Sequence, residues 1–88
     1  LEPLTTIAAF AAVTRRVRFS TKILIAPLRP APLLAKTLAT LDVLSGGRME
    51  IGVSTGWQRE EFEASGVDWS QRGQRLTDTL AACRVLWR

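Results

Sequence analysis

The 88-residue sequence contains no histidine, no tyrosine and a single cysteine, Cys83. Without histidine it lacks the commonest zinc ligand and the usual proton shuttle near neutral pH, and one cysteine cannot close an internal disulfide. Zinc modules and disulfide scaffolds are excluded. Apolar runs are broken by Thr, Pro or Arg well short of the roughly 20 residues that a membrane helix needs. No bilayer span is expected. The first residues are apolar but carry Glu2 where a secretory signal would be positive, so no targeting segment is read and the cytoplasm is the expected location. Charge of one sign is not concentrated either: the net charge is +4, with seven basic and two acidic side chains in residues 1–48 against five and six in 49–88. The one tight basic cluster, Arg15, Arg16 and Arg18, has no interleaved aromatic residues on which bases would stack, so nucleic acid is not an expected partner.

What is present has the balance of a globular protein, with 47% hydrophobic and 23% charged residues. The length suits one small domain or part of a larger one. Pro3 suits a first helical turn, and Leu4, Ile7, Ala8 and Ala11 recur at helical spacing, predicting a helix over roughly 3–14. From Val17 to Ile23 apolar and polar residues alternate, and Leu24 and Ile25 continue an apolar strand. Pro27, Pro30 and Pro32 mark a loop, with Pro32 placed to open a helix whose stripe is Leu34, Leu38 and Leu41, supported by Leu33 and Leu44. Ser45-Gly46-Gly47 closes that helix, since glycine accepts the left-handed conformation of a helix end. Met49, Ile51 and Val53 then alternate with Glu50, Gly52 and Ser54 as a second strand. A short helix over Gln58–Ala64 and a last helix capped near Asp68–Ser70, with a stripe of Leu76, Leu80, Cys83 and Trp87, complete the order α-β-α-β-α-α.

Strands joined through a helix run parallel, and parallel sheets carry helices on their faces, so the class is α/β. Two parallel strands alone leave unpaired edges. Either the remainder of a larger sheet or further copies of the chain in a homo-oligomer is expected to complete it.

The string Leu38-Ala39-Thr40-Leu41-Asp42-Val43-Leu44-Ser45-Gly46-Gly47-Arg48, followed by Gly52-Val53-Ser54-Thr55-Gly56-Trp57, resembles the luciferase-like flavin monooxygenases and their deazaflavin-dependent relatives. Ala26-Pro27-Leu28-Arg29-Pro30-Ala31-Pro32-Leu33-Leu34-Ala35-Lys36 upstream, and Glu60-Glu61-Phe62-Glu63-Ala64-Ser65-Gly66-Val67-Asp68-Trp69 with Arg72 downstream, extend the likeness over nearly the whole chain. The resemblance implies a partial TIM (β/α)8 barrel, a fold that takes about 250 residues and eight strands. Residues 1–88 would then be one partial domain, running from the second helix to the fourth helix region, with the third and fourth strands between. It also implies a small-molecule substrate and coenzyme F420 (deazaflavin) or FMN as cofactor in the complete protein.

Barrel ligands sit at the carboxyl ends of the strands, which directs attention to Ile23–Ala26 and Ser54–Trp57. By alternation, Met49, Ile51 and Val53 face the helices while Glu50, Gly52, Ser54 and Gly56 face inward. The resemblance makes Ile23, Leu24, Ser54, Thr55, Gly56 and Trp57 the candidate cofactor contacts, with Gly52 and Gly56 leaving room for a flat ring. The same parity sends Phe19, Thr21 and Ile23 toward the helices and Arg18, Ser20 and Lys22 inward. Lys22 is the candidate substrate contact, as an ammonium for an anionic group; the alternative is an ion pair with Glu50, for which Arg18 also competes. The family's non-prolyl cis peptide would fall near Lys22-Ile23. Trp57 stands where some deazaflavin enzymes carry a catalytic acid, a role that indole does not fill. No catalytic residue and no metal ligand is assigned. Glu60, Glu61 and Glu63 read as a solvated helix start, and Cys83 as a buried thiol. The chain alone is expected to be inactive; the competing reading is a self-associating structural module.

Overall fold

In a computed structural model, which describes all of residues 1–88, the elements follow the expected order. They are helix α1 (Pro3–Val13), strand β1 (Phe19–Ile25), helix α2 (Ala31–Ser45), strand β2 (Met49–Ser54), helix α3 (Arg59–Ser65) and helix α4 (Arg72–Leu86), with 3-10 turns at Ala26–Leu28 and Trp69–Gln71. The two strands pair in parallel. The class is therefore α/β, as the crossover through α2 requires.

Local chemistry accounts for the element ends. The Glu2 carboxylate accepts from the Thr5 N–H at 2.7 Å and caps α1. Gly46 ends α2 at φ 68° and Gly66 ends α3 at φ 69°, the left-handed conformation that costs a side-chain-bearing residue about 1–2 kcal/mol. Asp68 accepts from the Ser70 N–H at 3.0 Å and from its hydroxyl at 2.8 Å, starting the turn that leads into α4.

The core is a single cluster in which Leu4 and Ile7 of α1, Leu24 and Ala26 of the β1 end, Leu34, Ala35, Leu38 and Leu41 of α2, and Cys83 of α4 meet. Phe19, Met49, Ile51 and Val53 pack against it from the strands. All the core helices thus cover one face of the sheet, and the molecule is only 16 Å across in its thinnest direction, enough for one sheet and one helical layer. The other face carries no helix. The α2 stripe differs from expectation at its margins: Leu33 and Leu44 are 63% and 69% exposed, while Ala35 and Ser45 are buried in their place. The stripe keeps five residues but is shifted: Ala35 joins the cluster that Cys83 of α4 enters, and Ser45 donates to the Asp42 carbonyl at the helix end. In α4 the buried row includes Thr79, and Trp87 stays half-exposed while its indole N–H donates to the Ala35 carbonyl at 2.9 Å. No helix is long and apolar enough to cross a membrane.

Candidate functional site at the strand ends

The parallel pairing sets Ile25 opposite Ser54, so the carboxyl ends of both strands lie together. Beside the end of β1 runs a groove lined by Ile23, Ile25, Leu28 and Glu61, among others. Pro3 at the start of α1 and Glu61 of α3 flank the groove.

The helix-free face of the sheet is built by an irregularity in β1. Thr21 pairs with Ile51 and Leu24 with Val53, so Lys22 and Ile23 together stand opposite Gly52 alone. One extra residue is a β-bulge, and it reverses the side-chain alternation beyond it. Thr21 is buried, as expected, but Leu24 takes the next buried position and Ile23 is 54% exposed. The expectation that Ile23 faces the helices is thereby corrected: the bulge turns it onto the helix-free face, and Leu24 enters the core. The Lys22–Ile23 peptide is cis.

Gly52 makes this geometry possible. A Cβ there would lie 2.5 Å from the Thr21 carbonyl oxygen and 3.5 Å from Ile23 Cγ1. The Thr21 hydroxyl in turn donates to the Gly52 carbonyl at 2.8 Å. Gly56, at φ 84°, is similarly enclosed, since a Cβ would come within 2.8 Å of Ile25 Cγ2 and 3.2 Å of Phe62 Cε1. The space beside these two glycines is therefore filled by the chain itself, by the bulge at one and by Ile25 and Phe62 at the other. The expectation that these glycines leave room for a flat ring is thereby corrected. The Gly56 N–H donates to Ser54 Oγ at 3.3 Å, which ties the Ser54-Thr55-Gly56 turn to the strand end. Ser54 and Thr55 are half-buried, and Trp57 beyond them is 82% exposed.

The charges on this face divide unequally. Arg18 Nε lies 3.2 Å from Glu50 Oε1, so of the two partners expected for Glu50, Arg18 and Lys22, it is Arg18 that pairs. Lys22 is exposed and makes no ion pair. Glu60 and Glu61 open α3, and Glu63 bonds Arg59 at 3.1 Å one turn away, the pattern of a solvated helix start. No three His, Cys, Asp or Glu side chains converge. Groups with a displaced pKa stand elsewhere. Glu2 is partly desolvated, which acts to raise it, but bonds from Arg29 and from the Thr5 N–H and hydroxyl outweigh this and hold it at about 2. Asp68 is lowered by the Ser70 hydroxyl and N–H, and burial pushes the Cys83 thiol up.

One residue central to the architecture was not singled out by its sequence. Arg48, buried at the α2–β2 junction, donates through Nε to Ser45 O at 2.6 Å, through Nη1 to Thr14 Oγ1 and Val17 O, and through Nη2 to Ala11 O and Thr14 O. All five guanidinium N–H groups are used. Its only sequence signal is position, between a glycine helix stop and a strand. Trp69 similarly packs edge-on against Phe62, at 5.2 Å between centroids, while the Arg72 guanidinium lies 3.7 Å over its ring.

Known proteins share this arrangement. A family model described as luciferase-like monooxygenase matches residues 1–88. The chain belongs to the luciferase-like monooxygenase family. It is 41% identical over 88 residues to an uncharacterized protein of Mycobacterium tuberculosis, covering 99% of this chain and 31% of that protein. It is 38% identical over 93 aligned residues to pyrimidine monooxygenase RutA of Escherichia coli, covering 99% of this chain and 28% of that protein. In structure it is similar to monooxygenase RslO1 of Streptomyces bottropensis, with a TM-score of 0.91 at 35% identity, over 98% of this chain and 26% of that one. The chain thus spans under a third of the length of these relatives, and its two parallel strands with their one-sided helix layer are part of a TIM-type barrel, as the family resemblance implies.

Proposed function

We propose that this chain supplies part of the cofactor wall of a flavin- or deazaflavin-dependent oxidoreductase acting on a small-molecule substrate. Its place would run from the second helix to the fourth helix region of the barrel. The observation that carries the reading is the β1 bulge opposite Gly52, which sets an apolar side chain, Ile23, on the helix-free face next to the strand ends. The residues fit a flat ring: Ile23 offers an apolar surface, and the half-buried Ser54 hydroxyl lies at the rim. Ile23 would contact the ring through its side chain and Leu24 through its backbone, because the Leu24 side chain is in the core. Ser54, Thr55 and Gly56 would serve its polar edge, with Trp57 beyond them and Lys22 toward the substrate. FMN or coenzyme F420, when bound, supplies the redox chemistry. The chain's own residues bind, orient and exclude water; any group that moves a proton is assigned to another segment. Relatives named monooxygenases support oxygen insertion with FMN as the cofactor; with F420 the reaction would be hydride transfer, because a reduced deazaflavin reacts poorly with oxygen. The test is a fluorescence titration of the 88-residue chain with FMN and with F420. Binding weaker than about 100 μM and no turnover are expected, because only part of the enclosure is present. Micromolar binding with turnover would contradict the reading.

A second reading, a self-associating module, draws on the exposed Val43, Leu44, Leu86 and Trp87 along one side of the α2 and α4 layer. Light scattering at high concentration tests it: a compact monomer would rule it out.

A further inference from the structure

A second cleft, of about 490 Å³, lies between α4 and Ala31 at the start of α2, and it shares no lining residue with the groove at the strand ends. Its wall is one face of α4: Gln71 at the N-cap, then Arg75, Asp78 and Thr79, follow at i, i+4, i+7 and i+8. Asp68 joins them from the turn before the helix. Arg75 and Asp78, three residues apart, are placed to pair with each other, yet neither is in an ion pair. Arg75 Nε donates instead to the Pro27 carbonyl at 2.8 Å, which leaves its Nη groups free. Asp78 Oδ1 accepts from the Gln74 amide at 2.8 Å, and Asp68 Oδ1 serves Ser70, so each carboxylate keeps a free Oδ2. Thr79 is 5% exposed, and its hydroxyl makes no hydrogen bond within the chain. No fully enclosed side-chain oxygen lacks a partner, so this hydroxyl opens into the cleft. Thr77 on the same helix bonds back to the Gly73 carbonyl at 3.3 Å, as a helical threonine ordinarily does. A hydroxyl so nearly enclosed is costly to leave without a partner, and the cleft is where that partner belongs.

We propose that this cleft binds a diamino acid, its carboxylate on Arg75, its two ammonium groups on Asp78 and Asp68, and Thr79 Oγ1 accepting from the nearer ammonium. Charge selects this class. Arg75, Asp68 and Asp78 together carry one net negative charge, and a diamino acid at neutral pH carries one net positive charge. A simple cation leaves the Arg75 Nη groups unmatched, and a simple anion meets two carboxylates. The α-carboxylate and α-ammonium share one carbon, which suits Arg75 and Asp78, one helical turn apart; the side-chain ammonium is the group for Asp68. The site is independent of the proposed cofactor wall, so either can fail without the other.

The experiment follows backbone amide shifts of the labelled protein by NMR as three compounds are added. L-lysine is compared with L-norleucine, which lacks the second ammonium, and with cadaverine, which lacks the carboxylate. L-lysine is expected to shift the amides of Gln71, Arg75, Asp78 and Thr79 and to bind about tenfold more tightly than either of the others, the size of one charge-assisted hydrogen bond. Thr79→Val keeps the shape of the side chain and removes the hydroxyl, and is expected to weaken L-lysine binding about fivefold. Asp68→Asn, which retains a capping residue before α4, abolishes the preference for L-lysine over L-norleucine. Glu60→Gln removes an exposed carboxylate from α3 and leaves that preference intact. Absence of shifts at millimolar L-lysine, equal affinities for the three compounds, or binding unchanged by Thr79→Val would overturn the proposal. So would L-lysine shifts gathered at Glu60 and Glu61 in place of the α4 face, since these would report attraction to any exposed carboxylate.

Discussion

The Arg48 guanidinium donates to the carbonyl of Ala11 at 3.1 Å, joining the last turn of α1 to the start of β2 across 37 residues of chain. It does so without a carboxylate partner: the positive charge is held by the carbonyls of Ala11, Thr14, Val17 and Ser45, some of them at a helix C-terminus where the dipole favours a cation. Phe19 lies under it, 5.2 Å from the ring centroid. The clamp fixes where β1 and β2 begin, and therefore the register that brings Lys22 and Ile23 opposite Gly52.

Truncation of Arg48 leaves several buried acceptors unpaired, at about 1–3 kcal/mol each where water does not replace the donor. Arg48→Met is expected to lower stability by about 3 kcal/mol in urea denaturation, and Arg48→Lys to recover less than half of that, because an ammonium cannot span carbonyls on two sides. A loss below about 1 kcal/mol for Arg48→Met would show the clamp to be incidental.

Gly52→Ala tests the bulge. The added Cβ meets the Thr21 carbonyl oxygen, a backbone atom with no freedom to rotate away. A loss of about 2 kcal/mol is expected, of the size of other overpacking substitutions. Gly73→Ala is the control, in α4 with open space around it, and is expected to stabilise by up to about 1 kcal/mol. Equal effects at the two glycines would contradict the packing seen at Gly52.

Much of this arrangement was legible in the sequence, for a physical reason. Periodicity reports burial within one element, so Leu34, Leu38 and Leu41 and the alternation of Met49, Ile51 and Val53 announced their faces, and Gly46 announced its helix end. Strand parity put Glu50 on one face with Arg18 and Lys22 and left both open as its partner; the structure pairs it with Arg18. Parity failed beyond Lys22, because the bulge depends on the absent side chain of Gly52 and the Thr21 carbonyl, two groups 31 residues apart whose meeting no local pattern encodes. The same limit hid the Arg48 clamp. Gly52 and Gly56 were legible as positions needing space, but what fills that space, the chain's own backbone and Ile25, is a property of the assembled sheet.

Glu2 gives a pH dependence with a defined sign. Its folded pKa of about 2 lies below the ordinary 4.5, so between these values the unfolded chain binds more protons than the folded one. Its contribution is complete above pH 4.5 and is lost as the pH falls toward 2. The Glu2 and Arg29 side chains are 45% and 30% exposed, which limits the effect to under about 1 kcal/mol. Glu2→Gln should flatten this part of the stability profile, measured by urea denaturation at pH 2.5, 3.5 and 5. An unchanged slope would assign the acid sensitivity to other carboxylates.

Cys83 is 1% exposed, and burial pushes its thiol pKa up. Under native conditions at pH 8 it should resist a disulfide reagent such as DTNB and react only in denaturant, because the thiolate is the nucleophile. Rapid native labelling would mean that α4 does not seat on α2 as described.

The central claim is that the helix-free face of the β1–β2 pair, at its carboxyl end, is the one that meets the cofactor. The most direct measurement is a map of backbone amide shifts in the labelled protein as FMN is added to millimolar concentration. The largest changes are expected at Ile23, Ser54, Thr55 and Gly56; changes gathered instead on the helical layer around Val43 and Trp87 would contradict it.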